Sequence, residues 1–326
     1  MESHFKIIST LGPASLKRDF IEFCVNNGQG NFRLNGSHLD LSQMKRYIHF
    51  VREISSQKSP EIYLDLQGNK MRIGYIKEPL EIEKNGLVFL ILGDQHTSNQ
   101  IPIPHPELFE IVNPGDKLLL QDGAIQLEIV EHKNNYLIAK ALTPGLLRGK
   151  SGIVLNKKSI TPQFFPDSQI KQIQVAAELG VKHLALSYVS NKDDLIKLRS
   201  ICHDIKFSPG IIAKIECPEA LEQLDGILEE ADEVWYCRGD LGTLIPWKDL
   251  GPWQEQVIKI SRKKKKPVFV AGQVFLHLLD HSWPTRTEVV HFHHLLSQEV
   301  QGIVLSDETA IGQDPLNTIE TILSLI

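Results

Sequence analysis

The sequence predicts a (β/α)8 barrel carrying a small all-β domain inserted after its third strand. Three observations lead there. Strand-like and helix-like segments alternate at the start of the chain and again from about Gln169 to its end, and together they supply eight βα units with no element left over. Between the two alternating parts, from about Asn69 to Lys158, no long helical period appears. Finally, polar and charged residues recur where strands end, the edge at which such a barrel gathers its functional groups.

The elements follow in order, each marked by an apolar run or a helical period. Phe5–Thr10 reads as the first strand, stopped by Gly12-Pro13, and Asp19–Asn26 as the first helix. Asn31–Leu34 is the second strand, with a helix from about Asp40 to Ser55, and Ile62–Asp65 is the third. Short strands at Leu118–Leu120, Ile125–Ile129 and Tyr136–Ala141 then alternate with turn signals at Asn113-Pro114-Gly115-Asp116 and Lys133-Asn134-Asn135. Alternation resumes with a helix at Gln169–Leu179 and the fourth strand at His183–Tyr188. Helix Lys192–Ile205, strand Gly210–Glu216, helix Glu219–Glu230 and strand Glu233–Cys237 follow. Helix Trp253–Lys264 leads to strand Pro267–Ala271, helix Thr287–Gln298 to strand Gly302–Leu305, and a last helix starts at Pro315. The expected domains are a barrel at 1–69 and 158–326 and an inserted β domain at 70–157. No internal repeat or low-complexity segment interrupts the pattern.

Bulk properties exclude several classes. The chain has 326 residues, 42% hydrophobic and 23% charged, which fits a globular protein. A net charge of −5 gives no general argument for nucleic-acid binding. The first residues lack the apolar core of a signal peptide, and the apolar run Gly86–Leu92 is far too short to span a bilayer. The 4 cysteines, Cys24, Cys202, Cys217 and Cys237, show no CxxC pair or zinc spacing, so reduced thiols and a cytoplasmic location are expected. Neither a membrane nor a nucleic acid is an expected partner.

Two segments carry the most chemistry. Lys214-Ile215-Glu216 closes the fifth strand and Arg238-Gly239-Asp240-Leu241-Gly242 follows the sixth. Neighbouring parallel strands would bring Glu216 and Asp240 side by side at the C-terminal edge. Two carboxylates beside a lysine make a hard-cation site next to a fixed positive charge, which suits phosphate or enolate chemistry. The bland alternative is ordinary solvated acids at strand ends. The triple His291, His293 and His294 reads as a surface cluster, and Lys263 to Lys266 as a solvated helix end.

In order and wording the strand ends resemble the pyruvate kinase family. The matching pieces are Thr10-Leu11-Gly12-Pro13-Ala14-Ser15, Arg33-Leu34-Asn35-Gly36-Ser37-His38, Leu64-Asp65 with Gly68 and Arg72, Lys214-Ile215-Glu216, Arg238-Gly239-Asp240-Leu241-Gly242, Pro284-Thr285-Arg286 and Leu305-Ser306-Asp307-Glu308-Thr309-Ala310. The resemblance spans essentially the whole chain and implies Mg²⁺-dependent phosphoryl transfer between phosphoenolpyruvate and ADP, giving pyruvate and ATP. It implies that the β domain acts as a lid and that Glu216 and Asp240 ligate Mg²⁺ or Mn²⁺. Lys214 would stand beside the transferring phosphoryl group. Arg33 would hold the phosphate with forked donors, or else form an ion pair with a neighbouring acid. Gly239 and the amides after it would face the substrate carboxylate. His38, Arg72 and Lys150 match positions that face the nucleotide, with Arg72 also placed among the catalytic groups; His38 and Lys150 read equally well as surface residues.

The monovalent-cation region of the family matches at Asn35, Ser37 and Asp65 but not beyond. Leu66 stands where threonine is usual and Lys70 where glutamate is usual. The Lys70 ammonium would replace the cation's charge: about 4 Å from Asp65 it would interact by roughly 4 kcal/mol at an effective dielectric near 20, enough to hold it there. Activity without K⁺ is therefore expected. Gly272 occupies the place of a threonine linked in the family to proton delivery, Leu244 replaces an acid, and Asp307 replaces a glycine. The family's C-terminal regulatory domain has no counterpart in this sequence, so effector control of the usual kind is not expected. A homodimer through the barrel, involving the Pro284-Thr285-Arg286 region, is an expected partner state. Two rival readings share the pocket: a metal-dependent aldolase or lyase acting on a 2-oxo acid enolate, and a degenerate metabolite-binding homologue.

Overall fold

Eight parallel strands close into a barrel in the computed structural model of the chain, which describes residues 5–55, 60–68, 71–94, 100–121, 123–155 and 165–326. They are Lys6–Thr10, Asn31–Asn35, Glu61–Leu66, His183–Leu186, Gly210–Ile215, Glu233–Cys237, Val268–Ala271 and Gly302–Leu305. Each pairs with its neighbour in sequence, and the last closes on the first, with Lys6 opposite Gly302. The fourth strand pairs directly with the third, Ala185 opposite Asp65, across the inserted segment. Strands covered on both faces read as continuous apolar runs rather than alternating ones, as in Gly210–Ile215, where every residue after Gly210 is buried.

The barrel interior is packed with side chains. Ile8, Tyr63, Ile212, Trp235, Phe269 and Val304 form its central cluster, all at most 2% exposed. Burying one large aromatic side chain yields roughly 4–6 kcal/mol of transfer free energy before conformational entropy is subtracted. At the starts of the strands the polar groups pair among themselves. Lys6 reaches Glu61 at 3.0 Å, the Tyr63 hydroxyl donates to Glu61 at 2.9 Å, and Trp235 Nε1 donates to Glu233 at 2.6 Å. Burial pushes the Glu233 carboxyl up to about 7. Cys24, Cys202, Cys217 and Cys237 are free and buried.

Three helices start on capping boxes: Asp40 with Gln43, Asn191 with Asp194, and Thr285 with Glu288. Such a cap contributes about 1 kcal/mol and fixes where the helix begins. Two helices differ from the sequence reading. The expected single helix Glu219–Glu230 is two, Pro218–Glu222 and Leu224–Glu230, broken at Gln223. Leu221, Leu224, Ile227 and Leu228 are buried across the break, so the apolar stripe runs on and periodicity could not register it. The helix expected from Trp253 starts at Trp247 and carries Pro252 within its second turn. Pro252 has no amide to donate to the Lys248 carbonyl, so the second turn lacks one helical hydrogen bond.

By its internal contacts the chain divides into two units, one of Met1–Gly68, Phe165–Leu241 and Trp247–Ile326, the other of Asn69–Phe164 with Gly242–Pro246. The second unit contains a six-stranded sheet in the order Ile153–Leu155, Lys117–Leu120, Ile125–Lys133, Tyr136–Ala141, Leu87–Leu92, Gln100–Ile103. All its pairings are antiparallel except the last. A two-stranded ribbon, Leu80–Ile82 with Gly145–Leu147, and a six-residue helix, Pro106–Ile111, complete it. Strands of three residues are too short to show alternation. Leu87–Leu92 hides its own because Leu87 and Phe89 are exposed apolar residues on the outer face. Among the described residues no helix is long and apolar enough to cross a membrane.

Candidate active site

The third, fourth and fifth barrel strands deliver Asp65, Ser187 and Lys214 to one point. Lys214 Nζ lies 3.0 Å from Asp65 Oδ2, 2.9 Å from Glu216 Oε1 and 2.7 Å from Ser187 Oγ. The Ser187 hydroxyl donates onward to Asp65 Oδ1 at 3.0 Å. From the second strand, Arg33 Nη2 and Nε meet Asp65 Oδ2 at 2.6 and 2.8 Å, and its Nη1 donates to Thr10 Oγ1 at 2.7 Å. The Thr10 hydroxyl in turn donates to the Leu305 carbonyl at 2.7 Å, which ties the first strand to the eighth.

All these ionic groups are buried, which they tolerate only because they are paired. Burial alone would raise Asp65, but Lys214 and Arg33 together outweigh it and hold the carboxyl below the usual range. Burial likewise opposes charge on Lys214, and Asp65 followed by Glu216 reverses that and raises it. Arg33 is raised in the same way by Asp65. Asp65, Lys214 and Arg33 are thus held in their charged forms at neutral pH.

Glu216 and Asp240 come together through Tyr188. Its backbone amide donates to Glu216 Oε2 at 2.9 Å, and its hydroxyl donates to Asp240 Oδ1 at 3.1 Å. To do both, Tyr188 adopts φ +54°, a left-handed conformation that costs a non-glycine residue on the order of 1 kcal/mol. The preceding backbone is wedged by Gly68, at φ +59°, where an added Cβ would lie 1.9 Å from the Ser187 carbonyl oxygen. Gln169 Nε2 donates to the Gly68 carbonyl at 3.2 Å and holds that exit in place. Sequence reasoning extended the fourth strand through Tyr188; the strand ends at Leu186, and Ser187-Tyr188 form the turn that joins four site residues. The signal was two polar residues at a strand's C-terminal end, hidden because the expected strand ran over both of them.

No group of three or more His, Cys, Asp or Glu side chains among the described residues could hold a metal ion alone. Two carboxylates fixed by one residue fit the pattern in which a protein lends Mg²⁺ one or two carboxylates and substrate oxygens and water complete the shell.

The sixth strand runs straight into a helix, Arg238–Leu244, which presents Asp240 in its first turn. Arg238 turns toward the seventh strand. Its Nε and Nη2 donate to the Gly272 carbonyl at 2.9 and 2.6 Å, and its Nη1 lies 3.2 Å from His291 Nε2. Burial lowers Arg238 to about 10. Burial, then Arg238 and His294, lower His291 to about 4, so it accepts from the guanidinium as a neutral ring. His291 is therefore part of the site's support, a role its sequence context did not show. Gly272 sits at φ +84°, and a Cβ there would lie 3.0 Å from the Gly239 amide nitrogen. A β-branched side chain at position 272 would be strained in this backbone. A Cβ on Gly239 itself would meet nothing within 4 Å, leaving its backbone approachable.

The other predicted residues fall as follows. The Asn35 side chain accepts from the Ser37 amide at 3.1 Å, and the Gly36 amide between them donates to the Asp65 carbonyl at 2.8 Å. Leu66 is fully buried in the barrel wall and offers no side-chain oxygen. Lys70 lies outside the described residues. His38 is exposed on the same loop. Arg72 and Lys150 meet in the second unit, where Arg72 Nη1 donates to the Lys150 carbonyl at 3.0 Å. Asp307 is exposed on the short helix Asp307–Ala310, whereas its neighbour Glu308 is buried and accepts from the Ser306 amide at 2.8 Å. Burial raises the Glu308 carboxyl.

Comparison with known proteins agrees with this geometry. A family model described as pyruvate kinase, barrel domain, matches residues 2–319. The pyruvate kinase of Agrobacterium vitis is 32% identical over 326 residues, covering 98% of this chain and 67% of the relative. That of Corynebacterium efficiens is 32% identical over 330 residues, covering 100% and 70%. That of Thermococcus litoralis is 32% identical over 322 residues, covering 97% and 67%. The rival lyase reading finds no support among these relatives. A parallel barrel with paired charges at its strand ends, matched over nearly its whole length to enzymes of one name, places this chain in the pyruvate kinase family.

Proposed function

We propose that this protein transfers the phosphoryl group between phosphoenolpyruvate and ADP, giving pyruvate and ATP. The observation that carries the reading is the Lys214 ammonium, buried among Asp65, Ser187 and Glu216, the last being one of the carboxylate pair. In the forward direction the bond between phosphorus and the enol oxygen breaks and one to the terminal oxygen of ADP forms. The enolate left behind takes a proton at carbon. Charge spreads over the phosphoryl oxygens as they pass, so a fixed ammonium stabilises the transition state more than the ground state.

Glu216 and Asp240 would hold Mg²⁺ or Mn²⁺, which when bound neutralises oxygen charge on substrate and phosphate. Arg33 orients Asp65 and so places Lys214; its forked donors serve the ion pair, the alternative the sequence left open. The open Gly239 backbone suits the substrate carboxylate. Arg72 and Lys150, with His38, would serve the nucleotide, and the β unit would act as a lid that excludes water. Independence from K⁺ belongs to the same reading: Leu66 supplies no oxygen, and Asp65 already faces two cations.

A coupled assay with phosphoenolpyruvate, Mg²⁺ and ADP should show pyruvate formation, at equal rates in Na⁺, K⁺ and tetramethylammonium buffers. Absence of turnover in all three would overturn the transfer reading, and activation by K⁺ alone would overturn the cation reading. A homodimer through the barrel is part of the proposal. Trp283 and Val290, beside the Pro284-Thr285-Arg286 turn, keep 78% and 71% of their surface exposed. Sedimentation should give twice the chain mass, and Trp283→Ser should halve it; a wild-type monomer would rule the dimer out.

A further inference from the structure

We infer that the Tyr188 hydroxyl is a positioning group that sets the affinity of the Glu216–Asp240 pair for a divalent cation. The inference rests on the metal reading proposed above. It starts from two contacts made by a single residue. Tyr188 grips Glu216 through its backbone and Asp240 through its side chain, at 2.9 and 3.1 Å. The two carboxylates sit on different segments, Glu216 just after the fifth strand and Asp240 in the first turn of the helix after the sixth. Two carboxylates brought together without a cation between them repel. A residue that donates to both fixes their separation before any metal arrives.

The surroundings keep Tyr188 from adjusting. Its left-handed φ aims the amide at Glu216. The carbonyl just before it is in contact with Gly68, where no side chain fits. Ser187, one residue back, is engaged by both Lys214 and Asp65. The ring hydroxyl extends from this fixed segment, and its donor is spent on Asp240. A carboxylate can accept at four lone-pair positions, so a hydroxyl and a cation can share Asp240. Groups that orient metal ligands in this way typically account for 10–100-fold in metal affinity.

The test is Mn²⁺ titration of the substrate-free protein, followed by electron paramagnetic resonance, at a temperature where circular dichroism shows every variant fully folded. Wild type should bind, and Glu216→Gln and Asp240→Asn should each weaken binding at least about tenfold. Tyr188→Phe should weaken it about tenfold, yet have little effect when added to Asp240→Ala, which removes the oxygen that the hydroxyl donates to. A wild type that fails to bind Mn²⁺, or carboxylate variants that bind normally, would overturn the metal reading itself. Dependence on both carboxylates with unchanged affinity in Tyr188→Phe would overturn this inference alone. So would an equal loss in the Asp240→Ala background, where the hydroxyl has lost its acceptor, since a general loosening of the site acts whatever the hydroxyl's partner.

Discussion

Lys214→Met should lower turnover with phosphoenolpyruvate and ADP about a thousandfold, with a smaller change in KM. Methionine keeps the length and apolar stem of the side chain and removes only the ammonium. A charge placed where the transition state develops its own is worth about 10²–10³ in rate for one neutral donor and more for a cation on a phosphoryl group. The variant also withdraws a partner from Asp65 and from Glu216, both at most 3% exposed in their side chains. Stability should therefore fall too, and the rate must be compared where both proteins are folded. Lys214→Arg separates the effects. It restores the charge, and with it part of the stability, but a planar fork cannot sit as a point charge between Asp65, Ser187 and Glu216. Steady-state kinetics showing Lys214→Met within about tenfold of wild type would sink the assignment.

Asp65→Asn should cost about 3–5 kcal/mol of unfolding free energy at pH 7, because it strips the shared counter-charge from two buried cations. Arg33 and Lys214 would face one another across a neutral amide. The pH dependence has a definite sign. The Asp65 carboxyl is held below its ordinary value of 3.8. Its stabilisation is complete above that value and is lost as pH falls through the lower, folded-state one. The gap between wild type and variant in urea unfolding should thus be constant near neutrality and shrink in acid. A gap that widens on acidification would contradict the network. Combining Asp65→Asn with Lys214→Met should cost less than the sum of the two, since each variant removes the same ion pair.

These predictions concern residues whose presence at strand ends was legible in the sequence. Asp65, Lys214, Glu216 and Asp240 each end or follow an apolar run, and runs and periods are local. Their partners were not legible. Arg33 and Asp65 are 32 residues apart, and Lys214 and Asp65 are 149; only the closed sheet brings them into contact. Ser187 and Tyr188 were not legible because the apolar run reads on through Tyr188, which puts both inside a strand rather than at its end. Gly272 reads in the sequence as a missing hydroxyl; only the structure adds that its φ of +84° is one a β-branched residue would adopt under strain. The break at Gln223 escaped because an apolar stripe can cross a kink unaltered.

From the sequence alone came the eight-unit series, the inserted β segment and the chemical character of one barrel edge. Hydrophobic period and strand-end composition carry that information over a few residues at a time. Tertiary structure decided which charges neutralise which, that Arg33 serves Asp65, and that one tyrosine joins the two candidate metal ligands. Those outcomes depend on distances of about 3 Å between atoms far apart in the chain. Hydrogen bonds and buried ion pairs fall off too steeply with distance and angle for residue order to specify them.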